Sequence, residues 1–206
     1  MVSIVVVGDT AYRDLQERFG TYILTDKIKR ADGKIDFTYG ELVAFSGDFY
    51  PDPIAIYNET VHTSWLKPLS NNVAKAKTLF AGEEEDVKAQ ISQGRLDYRD
   101  YNMRYLAAFP MNYLEMAQNN IEHFGWHNLK TYVRYHTDAI NLALTAHASS
   151  GDQKADLFNQ AIITNAFADH FLTDAFAAGH LRIPRAESLK WGIKNAAIVK
   201  GMGAPR

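Results

Sequence analysis

Residues 169–180 read Asp-His-Phe-Leu-Thr-Asp-Ala-Phe-Ala-Ala-Gly-His, and they contain the most informative polar residues of a predicted helix. The apolar residues that recur one turn apart before it predict a helix over about 153–178. His170 and Asp174 are four residues apart, so both should project from one face of that helix. Gly179 is expected to end the helix. His180 could then turn back towards the same place.

A helix this apolar should be buried, and its polar side chains then need partners. An unpaired His or Asp in an apolar environment costs several kcal/mol, so such groups are hydrogen-bonded or bind a metal ion. His170 and Asp174 could satisfy each other, or they could chelate one cation. The spacing by itself leaves both interpretations open.

The composition indicates a single domain over residues 1–206 and limits the kinds of site that it can contain. With 47% hydrophobic and 22% charged residues, the chain can bury a core. A formal net charge of −2 argues against a general nucleic-acid binder. The absence of cysteine excludes disulfides, a thiolate zinc site and a cysteine nucleophile. No apolar run reaches the ~18 residues of a membrane span.

The rest of the chain predicts an all-α domain with a short extended segment at residues 3–7. Residues 50–72 are rich in Pro and Asn and are interpreted as a loop or lid, and residues 181–206 form a basic tail. Helices are predicted at about 10–30, from 38, at 73–81, from 83, and at 98–107, 111–123 and 126–147.

Further candidate ligands lie upstream of the 169–180 stretch. Six of the seven histidines fall between residues 123 and 180, which is the first indication of chemistry. Any one of them alone is more often a core or surface residue than a ligand. Asp48 follows Ser46-Gly47, where an Asp most often belongs to a turn or a helix N-cap. The upstream histidines considered are His123, His127, His136 and His147.

These motifs together resemble the zinc-dependent phospholipase C and S1/P1 nuclease superfamily, which consists of all-helical phosphoesterases with a trinuclear zinc cluster. The hallmark of that family is a helix with His-x3-Asp and a His six residues later, which is the spacing of His170, Asp174 and His180. Asp48 and the pair His123-Phe124 match two upstream motifs. The sequence of residues 37–50 is similar to that of the bacterial phospholipase C branch. The resemblance to the superfamily as a whole spans about residues 37–185.

The resemblance implies a multi-helix bundle in which Asp48, His123, His170 and Asp174 hold one zinc ion. Asp174 would bridge to a second zinc, and His180 would begin the ligand set of a third. The implied reaction is hydrolysis of a phosphodiester by attack of a metal-bound hydroxide on phosphorus. Asp48 would be a ligand and a candidate general base. The His/Asp set would also suit manganese or iron, and residues expected to orient the histidines are Tyr50, Asn165 and Asp169.

The chain departs from the family pattern at the other two zinc sites. The second zinc is usually held by an N-terminal Trp and a nearby His, whereas this chain begins with Met1. The third needs a His and an acid after His180, and only Glu187 follows. We therefore expect one complete ligand set and a domain cut short at its C-terminus. Residues that could substitute are Asp9, His62 and His127.

The sequence indicates less about the substrate than about the metal ligands. Aromatic and apolar residues in and beside the 50–72 loop could form a wall for a lipid or for stacked bases, or could simply fill the core. These residues are Phe49, Tyr50, Tyr57, Trp65 and Leu66. The basic tail with Trp191 could contact anionic lipid or be a solvated helix. The lack of net positive charge favours a lipase over a nuclease.

Three hypotheses follow. The first is a zinc-dependent, phospholipase C-like hydrolase of phospholipid headgroups, with peripheral membrane contact and no stable nucleic-acid complex. The second is a single-strand nuclease or phosphatase of the same superfamily, and the third is a non-catalytic metal-binding helical module. The resemblance implies a secreted or periplasmic protein, although residues 1–8 lack the basic segment of a signal peptide.

Overall fold

The computed structural model describes residues 9–10, 13–14, 27–31, 33, 36–58, 73–95, 104, 107, 116 and 120–195. In these ranges the chain is mostly helical, with one two-stranded hairpin. The all-α prediction is therefore confirmed at the level of fold class. Among these residues, no helix is both long and apolar enough to cross a membrane.

The largest elements are two long helices, α4 (Trp126–Ala148) and α5 (Gly151–Asp174), joined by the two-residue turn Ser149–Ser150. Because the connection is so short, the two helices run antiparallel and pack against each other. The helix predicted over 126–147 is confirmed to within one residue. The central and C-terminal turns of α5 are buried, and they carry the polar stretch discussed above.

Smaller elements pack around this pair. Strands β1 (Ile28–Lys29) and β2 (Asp36–Phe37) pair antiparallel, with Ile28 opposite Phe37. The other elements in chain order are α1 (Tyr39–Phe45), α2 (Pro53–Tyr57), α3 (Val73–Ser92), a 3-10 turn (Ile121–His123), α6 (Ala178–Leu181) and α7 (Arg185–Lys194). Both α1 and α2 lie against α5.

Helix α1 is anchored at its first turn by a capping box. The Glu41 N–H donates to the Thr38 hydroxyl at 3.2 Å, and the Thr38 N–H donates back to the Glu41 carboxylate at 3.0 Å. Lys77 on α3 pairs with the same carboxylate at 2.8 Å. Asp9 accepts the Gly40 N–H at 2.7 Å, which satisfies another free donor of that turn.

The core beside α1 is an aromatic cluster. Phe45 makes edge-to-face contacts with four neighbours, at ring-centroid distances of 5.0 to 6.0 Å. Such contacts add to the free energy of simple apolar burial. The four neighbours are Phe37, Phe49, Tyr50 and Phe80. Of the residues proposed for a substrate wall, Phe49 and Tyr50 are thus core residues, because both are almost fully buried.

The structure corrects three predicted boundaries. The helix predicted over 10–30 does not reach its end, because Ile28–Lys29 is a strand. Helix α3 runs without a break through residues 81–86, so the predicted joint there is wrong. The last predicted helix ends at Asp174 rather than near 178, and Gly179 lies inside α6.

Two more predictions are changed in part. The predicted 50–72 loop contains α2, which begins with Pro53 and is capped by the Asp52 carboxylate. The end of the helix predicted over 111–123 is the 3-10 turn. Several expectations fall on residues outside the described ranges. These include the 3–7 segment, most of 10–26 and 98–107, the tail after 195, and His62, Trp65 and Leu66.

We expect Thr38→Ala to lower the free energy of unfolding by about 1 kcal/mol, because it removes the cap of α1. Urea denaturation followed by circular dichroism measures the change. Thr145→Ala is the matched control, since Thr145 is exposed on α4 and its hydroxyl donates to the Asn141 carbonyl of the same helix. Equal midpoints for Thr38→Ala and the unmodified protein would contradict the capping role.

Candidate metal centre

Helix α5 places two polar side chains on its buried face. His170 is 1% exposed and Asp174, the last residue of the helix, is 7% exposed. Their spacing of four residues aligns them on one face, and the His170 Nε2 lies 3.5 Å from Asp174 Oδ2. The shared helix face predicted from the spacing is therefore present in the fold.

The backbone of α1 determines the orientation of His170. Its Nδ1 lies 3.0 Å from the Val43 carbonyl oxygen, which accepts the hydrogen of that nitrogen. In the neutral ring, Nε2 then carries a lone pair instead of a hydrogen. That lone pair faces the His123 Nδ1 at 3.1 Å. Fixing a ligand histidine through a carbonyl on its other nitrogen is the usual arrangement in metal sites.

His123 reaches the same point from the 3-10 turn. The residue is 4% exposed, and its Nδ1 donates to Asp174 Oδ2 at 2.7 Å. The His123 Nδ1 thus has one hydrogen and two possible acceptors for it, Asp174 Oδ2 and His170 Nε2. Asn128, near the start of α4, donates to the His123 carbonyl at 3.4 Å.

Asp48 enters from the turn that follows α1. One ligand atom each from Asp48, His123 and His170 lies within 4.8 Å of the other two. The turn passes close to both rings: a Cβ on Gly47 would lie 2.7 Å from His123 Cε1 and 3.0 Å from His170 Cδ2. With a φ of +72° as well, this position requires glycine on both steric and conformational grounds.

His180 lies at the edge of the group, on α6. Its Nδ1 is 3.9 Å from Asp174 Oδ1, which is too long for a hydrogen bond. This nitrogen is shielded from solvent and has no hydrogen-bond partner in the described part of the chain. The His180 carbonyl accepts the Gly125 N–H at 2.9 Å, and its ring packs on Phe124. All five residues predicted for the metal set therefore lie in one neighbourhood.

The pKa shifts follow from burial and from these contacts. Burial lowers the pKa of His123, but the hydrogen bond to Asp174 and the charge of Asp48 outweigh it, so the pKa of His123 is raised. Burial raises the pKa of Asp174, but His123 and His170 reverse the sign, so that pKa is lowered. Burial dominates at His170, whose pKa is lowered. These pKa directions favour the charged form of His123 beside an ionised Asp174, and the neutral form of His170.

A divalent cation fits this donor set. A tetrahedral ion with bonds of about 2.0–2.1 Å places its ligand atoms about 3.3 Å apart. The three distances among His123 Nδ1, His170 Nε2 and Asp174 Oδ2 are 2.7, 3.1 and 3.5 Å, which bracket that value. A cation would take the place of the hydrogen that these atoms share. The shielded, unpaired His180 Nδ1 is a further donor that a cation could satisfy.

The other candidate ligands are engaged elsewhere or exposed. His136 contacts the Asn165 side-chain oxygen at 2.8 Å, and Asp9 caps α1. His127, His147 and Glu187 are exposed. His62 lies outside the described residues.

Asp169 and Asn165, which were expected to orient the ligand histidines, contact other residues instead. Asp169 accepts a hydrogen bond from the Tyr39 hydroxyl, and Asn165 bonds to both. Sequence reasoning missed the Val43 carbonyl, because a backbone acceptor has no residue-type signature. It also missed the reason for Gly47, although a Gly directly before a candidate ligand Asp was a usable signal of a close backbone approach.

A small cavity opens beside the group. Its volume is about 140 Å³, and it is lined by Gly47, Pro51, Met116, Asn120, Glu122, His123 and Phe171. Because His123 forms part of the wall, the cavity adjoins the candidate ligand set. Glu122 adds an acidic group to that wall.

Comparison of the chain with protein-family models, with curated proteins and with solved structures finds no significant match.

Gly47→Ala should weaken zinc binding by roughly tenfold or more, because the added methyl group would displace the His123 ring from its ligand position. Competition with a chromophoric chelator measures the dissociation constant. The matched control is Gly94→Ala, at a φ of +67° but with no atom of the described residues within 4 Å of the new Cβ. Both variants carry the backbone cost of a left-handed alanine, about 1–2 kcal/mol. Equal zinc affinities in the two variants would show that the contact with His123 is unimportant.

Proposed function

We propose that the protein is a zinc-dependent phosphodiester hydrolase that acts on phospholipid headgroups, in the manner of phospholipase C. The observation that carries the proposal is a cluster built from four separate segments. Ligand atoms of Asp48, His123 and His170 lie within 4.8 Å of one another, Asp174 contacts both of these imidazoles, and His180 lies 3.9 Å from Asp174. These are the residues that the sequence motif singles out.

The chemistry of the donors favours zinc among the common divalent ions. Mixed imidazole and carboxylate sets suit zinc, whereas calcium and magnesium prefer oxygen ligands alone. A bound zinc ion supplies a Lewis acid that lowers the pKa of water and stabilises negative charge on a phosphoryl oxygen. Two carboxylates, Asp48 and Asp174, bring the negative charge that a divalent cation needs.

Asp48 is the residue to which we assign proton transfer. It is less buried than His123 and His170, and it lies on a turn rather than within a long helix. A carboxylate with two oxygens can contribute one to the cation and present the other to a water molecule. Asp174 is less suited, because its Oδ2 already faces both His123 and His170.

Exposed apolar side chains beside the metal centre support a lipid substrate. Trp126 and Phe176 are 84% and 80% exposed. Trp126 follows Gly125, which is bonded to the His180 carbonyl, and Phe176 is two residues beyond Asp174. With Leu181 and Ile183, also exposed, they form what we call the site rim. Large exposed apolar groups next to a reaction centre are typical of proteins that contact membranes.

Basic residues accompany the site rim. Arg182 is exposed, and Arg185 packs over the Phe124 ring and donates to Asn120. Apolar insertion combined with positive charge is the usual pair of signals for binding an anionic membrane surface. The site rim therefore takes the role that Phe49 and Tyr50, as core residues, cannot have.

We expect Asp174→Asn to abolish high-affinity zinc binding, since an amide supplies neither the charge nor the second lone-pair oxygen. In the unmodified protein, zinc at 100 times its dissociation constant should add about 2.7 kcal/mol to the free energy of unfolding. Chemical denaturation with zinc and with a chelator tests this expectation. Asp156→Asn, at an exposed position of the same helix, should keep the full effect. Zinc stabilisation that survives in Asp174→Asn would remove this residue from the ligand set.

Zinc-loaded protein should release phosphocholine from phosphatidylcholine vesicles, and Asp48→Asn should lower the rate by at least about 100-fold.

Phe176→Ala should reduce hydrolysis of vesicles but not of a soluble short-chain phospholipid. Leu144→Ala, 63% exposed on α4, is its control. Hydrolysis of single-stranded DNA or of a phosphomonoester instead would favour the nuclease or phosphatase alternative. Zinc binding without any hydrolysis would favour the non-catalytic module.

A further inference from the structure

A chain of hydrogen bonds joins α1 to α5 close to the metal centre. The Tyr39 hydroxyl donates to Asp169 Oδ2 at 2.6 Å. The Asn165 amide donates to the Tyr39 oxygen at 2.7 Å and lies 3.3 Å from Asp169 Oδ2. On the far side, His136 of α4 contacts the Asn165 oxygen at 2.8 Å. None of these four residues belongs to the proposed ligand set.

The chain of bonds adds a polar connection between α1 and α5. Tyr39 and Val43 are four residues apart and lie on one face of α1, while Asp169 and His170 are neighbours on α5. The Tyr39–Asp169 bond and the His170–Val43 bond are therefore two adjacent connections between the same two helices. A shift of α1 along α5 that lengthens the first bond also moves the Val43 carbonyl away from His170.

The orientation of the His170 lone pair depends on that carbonyl. The carbonyl holds the ring hydrogen on Nδ1, which leaves Nε2 free to face His123 and Asp174. If the carbonyl moved out of hydrogen-bonding range, the neutral ring could place its hydrogen on Nε2. That tautomer would present a hydrogen, instead of a lone pair, to a cation.

We propose that Tyr39 is a positioning residue for the metal centre, acting through Asp169 to keep His170 in the tautomer that binds a cation. The proposal rests on the metal site of the proposed function but not on hydrolysis. Tyr39 is buried, so replacing it with phenylalanine keeps the ring in the core and removes only the hydroxyl.

Two measurements on Tyr39→Phe test the proposal. Zinc affinity, from chelator competition, should fall by about tenfold, the lower end of the range for residues that support ligands. In metal-free protein, ¹⁵N NMR of the imidazoles should show His170 with its hydrogen on Nδ1, and a mixture of tautomers in the variant. Tyr132→Phe, which removes the same atom from a half-buried ring stacked on His136, should leave both readouts unchanged.

A double-mutant cycle separates positioning from a general loss of stability. If Tyr39 acts through Asp169, adding Tyr39→Phe to Asp169→Ala should cost no further zinc affinity. Additive losses, or an unchanged tautomer with unchanged affinity in Tyr39→Phe, would overturn the proposal. Should Tyr39→Phe fail to fold, Asp169→Asn takes its place. It retains an acceptor oxygen, so zinc affinity should stay within about threefold, and a tenfold loss would overturn the proposal.

Failure of the proposed function would look different. If the unmodified protein binds no zinc, the metal site itself is wrong, whereas the tautomer of His170 still tests the role of Tyr39. If it binds zinc but hydrolyses no phosphodiester, only the catalytic part of the proposed function fails.

Discussion

The candidate metal centre depends on the contacts of the His123 Nδ1, which faces both the Asp174 carboxylate and the His170 ring. All three side chains are buried, and burying polar groups without partners would cost several kcal/mol each. Their mutual contacts at 2.7 to 3.5 Å remove most of that cost. The same contacts hold the 3-10 turn against the end of α5, so fold and site are maintained by one set of interactions.

Helix α5 has to satisfy two requirements at once. Its buried side consists largely of small and aromatic residues, and Ala166 and Phe167 are fully buried. Small residues allow α1 to approach closely enough for its Val43 carbonyl to reach the His170 ring. Close packing is thus what makes a backbone carbonyl available as a side-chain partner. A bulkier residue in place of Ala166 would separate the helices and leave the His170 Nδ1 unpaired.

The arrangement is better suited to a cation than to a purely structural role. An ion pair such as His123–Asp174 would suffice to join two elements, yet Asp48 and His180 approach as well. The His180 Nδ1 is shielded from water and unpaired within the described residues. In a purely structural cluster this unpaired nitrogen would only be a cost, because a buried group without a hydrogen bond lowers the free energy of unfolding. A cation at this position would satisfy it, and a small cavity adjoins the group.

Most of the helical architecture could be predicted from the sequence. The period of apolar residues located α4 to within one residue and gave the start of α5, because a long amphipathic pattern is a strong local signal. Boundaries that depend on one or two residues were harder to predict. The acidic run at 83–86 indicated the first turn of a new helix, yet α3 continues through it, with Phe80 and Val87 buried on either side.

The sequence by itself determined the identity of the candidate ligands, because a His and a carboxylate at a spacing of four must share one face of a helix. It also determined that thiolate chemistry is excluded. Only the tertiary structure decided that Asp48, His123 and His180 approach this pair, because residues up to 122 positions apart come together only when the helices pack. It alone decided the tautomer of His170 as well, since a backbone carbonyl becomes a specific partner only through the position that packing gives it.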